Sequence, residues 1–179
     1  MNMNKFYALP LGSVIIMMVF AILVWAKLEQ VANKNKKFEK WWRCVNIILC
    51  ICSVFLIIRM TLLRRVSEQR AVELMPFHTF TTMPYNNEAS RTLLMNVVLF
   101  LPLGLTLPYI FKCAKNDRQR WTYCFVAGCC ISIGVEVVQY CWALGLAETD
   151  DVICNSLGCA LGIMANVLGR KFPFRSKRP

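Results

Sequence analysis

Five long apolar runs, separated by short stretches that hold most of the charge, leave this chain few ways to fold. The hydrocarbon core of a bilayer is about 30 Å thick, so a helix needs roughly 20 mostly apolar residues to cross it. The first run, Phe6 to Ala26, is bounded by Lys5 and Lys27. The second starts near Cys44 and carries Arg59 toward its far end, and the third extends from about Thr92 to Phe111. The fourth begins at Trp121 and ends around Trp142; the fifth, Val152 to Leu168, is the shortest. A soluble domain of 179 residues would interleave charges along its length, whereas here only 17% of residues are charged and 57% are hydrophobic. Open β-structure is excluded from lipid because each unpaired backbone group costs several kcal/mol there, and no alternating ten-residue pattern points to a barrel. The expected fold class is therefore all-α, a polytopic membrane bundle of about five transmembrane helices. The first run is too long for a signal-peptide core and has no small-x-small cleavage site before Lys27, so it is expected to be a retained helix.

A net charge of +11 invites a nucleic-acid reading, but its distribution argues for a membrane instead. Lys27, Lys34, Lys36, Lys37, Lys40 and Arg43 fall in one expected loop, and four more basic residues lie between Lys112 and Arg120. The tail adds Arg170, Lys171, Arg175, Lys177 and Arg178. The stretch from Cys141 to Asp151 has no basic residue and carries Glu148, Asp150 and Asp151. Alternation along the chain puts the three basic regions on one side, which the positive-inside rule makes the cytoplasm. The N-terminus is then expected outside and the C-terminus inside. The segment from Arg59 to Arg91 strains the rule with five basic residues on the outer side, alongside Glu68, Glu73 and Glu88.

Ten cysteines are not placed like a disulfide framework. Most lie within the apolar runs, where a thiol acts as a small polarisable apolar group. No C-x-x-C pair occurs, the single His78 cannot complete a zinc set, and no spacing supports a Cys141–Cys154 bridge. Neither a metal nor a cofactor is expected. Trp25, Trp41, Trp42, Trp121 and Trp142 fall near expected helix ends, as aromatic belts do without any binding role. The stretch from Arg64 to Arg91 is too apolar for a solvated loop. Leu74, Met75, Pro76 and Phe77 fit either a re-entrant segment against the bundle or a short amphipathic helix at the lipid surface.

Polar residues inside the apolar runs carry the functional signal. Glu136 and Gln139 share one face of the fourth helix. A carboxylate at the membrane centre costs about 2.5–3.5 kcal/mol on insertion scales, so it normally faces a partner or a cavity. On the fifth helix Asp151, Asn155, Gly158 and Gly162 form one stripe: acid, amide, then a G-x-x-x-G pair that admits another backbone. The third helix carries Asn96, then Pro102 and Pro108, each of which frees a carbonyl four residues earlier. The expected topology brings Arg59, Arg64, Asn96, Glu136, Gln139, Glu148, Asp150, Asp151 and Asn155 to the outer half of the membrane. Two readings fit. The residues either form a shared polar site, or they glue helices together, with Glu136 paired to Arg59 or Arg64 and the aspartates capping the fifth helix.

The run Glu136-x-x-Gln139, Glu148-x-Asp150-Asp151, Asn155-x-x-Gly158-x-x-x-Gly162 resembles the signature of the VanZ-like family. Asn96 to Gly104, with Pro102 two residues before the glycine, resembles that family's other characteristic helix. Leu74-Met75-Pro76-Phe77 resembles its Pro-Phe element, and Arg59 its preceding basic position. The resemblance spans roughly 57–169; residues 1–56 hold the first helix, which is expected to be an addition to a four-helix core, the Lys-rich loop and most of the second helix, and 170–179 form a basic cytoplasmic tail. One departure is that Trp142 to Ala147 lacks the arginine that many members carry after the Glu-x-x-Gln pair. If that arginine meets an anion in relatives, Arg59, Arg64 or Arg65 must serve here, or the ligand differs.

The family is named for a protein associated with low-level teicoplanin resistance, and the resemblance implies a bacterial cytoplasmic membrane. The expected function is an outer-leaflet polar site influencing envelope lipid or glycopeptide susceptibility. Membrane lipid, a lipid-linked cell-wall precursor or a lipoglycopeptide would be its partner, and nucleic acid would not. One alternative is an enzyme acting on a lipid or polyprenyl-phosphate headgroup, with Glu136 or Asp151 as general base. Another is a small transporter or channel, although no internal repeat supports it.

Overall fold

The computed structural model describes residues 11–62, 71–82, 87–111 and 116–171. Helix α1 (Leu11–Lys34) is followed by α2 (Lys36–Thr61), a short strand β1 (Ala71–Glu73) and a one-turn helix α3 (His78–Thr82). Then come α4 (Asn87–Thr106), which closes in a 3-10 turn at Leu107–Tyr109, α5 (Asp117–Cys141), β2 (Leu146–Glu148) and α6 (Thr149–Lys171). Among the described residues, α1, α2, α4 with its 3-10 turn, α5 and α6 are long and apolar enough to cross a bilayer, as the hydropathy pattern predicts. They run alternately up and down. Glu148, Asp150 and Asp151 mark the acidic end of the bundle; Lys34, Lys36, Lys37 and Arg170 mark the basic end.

The expected loop from Lys27 to Arg43 is not a loop. Helix α1 continues through Lys27 to Lys34, and α2 starts at Lys36. Lys, Gln and Glu are good helix formers whose long side chains carry charge out to water, so the end of the apolar run does not end the helix. Asn35 does end it. Its backbone is extended and its side-chain oxygen accepts from Lys37 N at 3.0 Å, an N-cap for α2.

At the centre of the bundle, α4 and α6 approach backbone to backbone. A Cβ built on Gly158 would lie 2.2 Å from the Val97 carbonyl oxygen, and one on Gly162 2.3 Å from that of Leu101. From the other side, a Cβ on Gly104 would lie 2.1 Å from the Cys159 carbonyl oxygen. Lipid provides no hydrophobic drive between helices, so close backbone packing of this kind is a principal source of association. Ile57 of α2, Phe100 and Leu103 of α4, and the thiols of Cys124 and Cys159 are fully buried around this contact. The nine described cysteines are free thiols, Cys141 and Cys154 among them. Pro102 sits inside α4 without ending it, and the Thr106 hydroxyl donates to the Pro102 carbonyl at 2.8 Å. Pro108 lies in the 3-10 turn where α4 tightens and stops.

One element has no counterpart in the sequence reading. β1 and β2 pair in parallel at the acidic end, with Ala71 opposite Leu146, Val72 opposite Ala147 and Glu73 opposite Glu148. The rule against open strands applies to hydrocarbon, and this pair lies beyond the ends of the spanning helices.

Gly158→Ala is expected to lower the stability of the detergent-solubilised protein by about 1–3 kcal/mol, the usual cost of overpacking. Gly134→Ala, with nothing within 4 Å of the added carbon, is expected to be neutral or slightly stabilising. Thermal unfolding of the two variants side by side checks the contact.

Candidate functional site at the acidic end

Helix α6 opens with Asp150 and Asp151, which its positive N-terminus favours. Both do more than cap. Asp150 is 2% exposed and accepts the backbone N–H of Phe77 through Oδ1 (2.5 Å) and that of Thr79 through Oδ2 (2.8 Å). Phe77 has a φ of 64°, a left-handed conformation that a bulky residue adopts only when its surroundings impose it. Glu148 Oε2 accepts from the Thr79 hydroxyl at 3.1 Å, and Thr149 donates to the Glu73 carbonyl at 3.4 Å. Two carboxylates and a threonine thus hold the 71–82 segment over the start of α6. That segment is a strand, a turn and one helical turn lying against the end of the bundle, and residues 64–70 and 83–86 of the expected stretch lie outside the described residues.

Beneath this roof, polar side chains from α4, α5 and α6 converge with a backbone carbonyl of α2. Asn96 of α4 donates to Asp151 Oδ1 at 2.6 Å. Glu136 of α5 is buried and its Oε2 accepts the Glu148 N–H at 3.2 Å, so the carboxylate meets the strand β2. Gln139 donates to the Thr61 carbonyl at the end of α2 (3.2 Å), and Asn155 donates to the Ser132 hydroxyl (3.0 Å). The faces read from the sequence are the buried ones. Ser132, Glu136 and Gln139 line one side of α5, and Asp151 and Asn155 one side of α6.

Among the described residues two acceptors in this cluster have no hydrogen-bond partner: Gln139 Oε1 and Asn155 Oδ1, on side chains only 1% and 2% exposed. A buried carbonyl oxygen left without a donor costs about 1–3 kcal/mol, so the cluster favours a donor that enters it. Carboxylates and amide oxygens together suit ammonium, hydroxyl or amide N–H groups. Above them the surface turns apolar, with Leu74, Met75 and Phe77 exposed on the turn and Trp142 exposed at the end of α5. An exposed apolar patch beside a polar recess is the mark of an interaction surface.

The structure does not bring every expected residue into this cluster. Arg59 lies at the same end, on the last turn of α2, but is exposed, and among the described residues no carboxylate pairs with it. Its neighbours Ile57 and Thr61 face inward, two residues away on the opposite side of the helix. Of the two pairings that the gluing reading offers Glu136, the one with Arg59 is not made, and the carboxylate accepts a backbone N–H from Glu148. Arg64 and Arg65 lie outside the described residues. Among the described residues no three His, Cys, Asp or Glu side chains are grouped to hold a metal ion.

A second polar centre, at the basic end, escaped the sequence reading. Glu29 of α1 is 2% exposed and accepts from the Trp42 indole N–H at 2.6 Å and from the Tyr109 hydroxyl. Arg170 of α6 pairs with its other oxygen at 3.2 Å and lies over the Tyr109 ring. Trp25 donates to Asn46 at 3.0 Å. Trp25 and Trp42 are thus buried hydrogen-bonding residues and not belt residues, whereas Trp41 and Trp142 are exposed as a belt requires. The available signal was the spacing Trp25, Glu29, Ala32, one helical face continuing past the apolar run.

A family model described as VanZ/LLP1 matches residues 13–169. Protein VanZ of Enterococcus faecium is 29% identical over 103 residues, an alignment covering 58% of this chain and 56% of that protein. The chain thus spans little more than half of that relative's length. No solved structure matches.

Asp150→Ala should release the Phe77 and Thr79 amides. Charge-assisted hydrogen bonds contribute about 1.5–3 kcal/mol, so hydrogen exchange at both amides is expected to accelerate tenfold or more. Exchange in the α4–α6 contact should stay unchanged in the same sample.

Proposed function

The chain belongs to the VanZ/LLP1 family, and we propose that its acidic-end site lowers susceptibility to a lipophilic glycopeptide such as teicoplanin by engaging a lipid-bearing, donor-rich ligand at the outer leaflet. The ligand is either a lipid-linked cell-wall precursor or the drug itself. Both combine an apolar tail with hydroxyl and amide donors. The observation that carries this reading is the pair of buried, unpartnered oxygens of Gln139 and Asn155, set among Glu136 and Asp151 and beside the apolar turn.

Each part has a role. Asn96 orients Asp151, Thr61 and Ser132 hold the amides with their oxygens available, and Asp150 with Glu148 fixes the turn as an apolar lip. The reading also rests on the acidic end facing outward, as the distribution of basic residues predicts. A cytoplasmic C-terminus requires that a fluorescent-protein fusion there be bright and an alkaline-phosphatase fusion inactive. The opposite pattern would turn the site inward and exclude drug binding from outside the cell.

Cells expressing the protein should tolerate more teicoplanin than cells lacking it, with a smaller change for vancomycin. Asn155→Leu and Gln139→Leu remove the acceptors together with the amide donors to Ser132 and Thr61; each should return teicoplanin susceptibility to that of the cells lacking the gene, at equal membrane abundance of the protein. Unchanged susceptibility to both drugs on deletion would refute the proposal.

A further inference from the structure

We infer that the groove between α5 and α6 at the basic end binds one anionic phospholipid, a site separate from the acidic-end cluster. The groove is a recess of about 450 Å³ lined by Trp121, Phe125, Ala160, Met164 and Val167, together with Thr122 and Ile163. That volume falls in the range of about 300–1,000 Å³ typical of ligand pockets. Ile163 is its buried residue, Ala160 is the smallest side chain lining it, and Phe125 and Met164 are exposed. An almost wholly apolar recess in a membrane-facing helix pair accommodates an acyl chain.

The argument for a charged headgroup comes from what stands over the groove. On α5 the positions 118, 121, 122 and 125 fall on one face, so Arg118 lies one turn beyond Trp121 and Thr122, at the groove's mouth. Arg118 is exposed, and among the described residues no carboxylate pairs with it. The nearby Asp117 is already taken by Arg120, at 3.1 Å. The first turn of α5 adds its positive dipole end, where Asn116 caps the Gln119 N–H. An uncommitted arginine, a helix N-terminus and an apolar trough in line complement a phosphate with one acidic headgroup and an acyl chain. They do not suit a zwitterionic lipid as well, because its ammonium would meet the same positive field.

The full chain reconstituted in vesicles of equal phosphatidylglycerol and phosphatidylcholine, then released into detergent, gives the test through native mass spectrometry of retained lipid. The unmodified protein is expected to retain phosphatidylglycerol about fivefold over phosphatidylcholine, the preference expected of one basic residue near the surface. Arg118→Gln should keep lipid bound but bring the ratio to parity, and Ala160→Phe should fill the recess and abolish retention of both lipids. Circular dichroism shows whether Ala160→Phe folds; if it does not, the Arg118→Gln ratio alone decides. Parity in the unmodified protein, an unchanged ratio in Arg118→Gln, or full retention by folded Ala160→Phe would overturn the assignment.

Discussion

The contact on which the rest of the structure depends is the one between the backbones of α4 and α6. Gly104, Gly158 and Gly162 let two helices approach so closely that carbonyl oxygens occupy the space where side chains would begin. In lipid that packing replaces the hydrophobic drive that a soluble core would use. It also sets a register. With Gly158 opposite Val97, Asn96 comes level with Asp151 at one end, and at the other Asn166 reaches the Leu105 carbonyl at 2.8 Å. A slip of one residue in either helix would break both hydrogen bonds and set a Cβ against a backbone. The polar sites are therefore not merely hung on the bundle; the glycine contact places them.

The same contact lies between the two polar centres. Buried polar residues occur above it, at Asp151 and Asn155, and below it, at Asn166, with the half-buried Arg170 one turn further on. Between them α6 presents glycines packed on the α4 backbone. Among the described residues that α4–α6 seam carries no polar lane from one centre to the other.

Hydropathy made the five helices legible because each long apolar run has one solution in a bilayer. The stripe Asp151, Asn155, Gly158, Gly162 and the pair Glu136, Gln139 were legible because helical spacing projects directly onto faces. Three features were not. The β1–β2 pair joins segments more than seventy residues apart through three residues each, too short for alternation to register. Asp150 looked like a simple helix cap because its true partners are backbone amides, which leave no trace in residue identity. Glu29 was hidden by its neighbours: amid lysines it reads as one more charge in a solvated loop, while in the structure the helix continues and turns it inward to Trp42, Tyr109 and Arg170.

That last contact has a consequence for biosynthesis. Glu29 leaves the ribosome in the first helix and Arg170 in the last, more than a hundred residues later. At elongation rates of about 5–20 residues per second, the carboxylate waits on the order of ten seconds before its cation is made. Until then the Trp42 indole and later the Tyr109 hydroxyl are the partners the chain can give it, so Glu29 acquires its counter-charge only when the C-terminal helix has arrived.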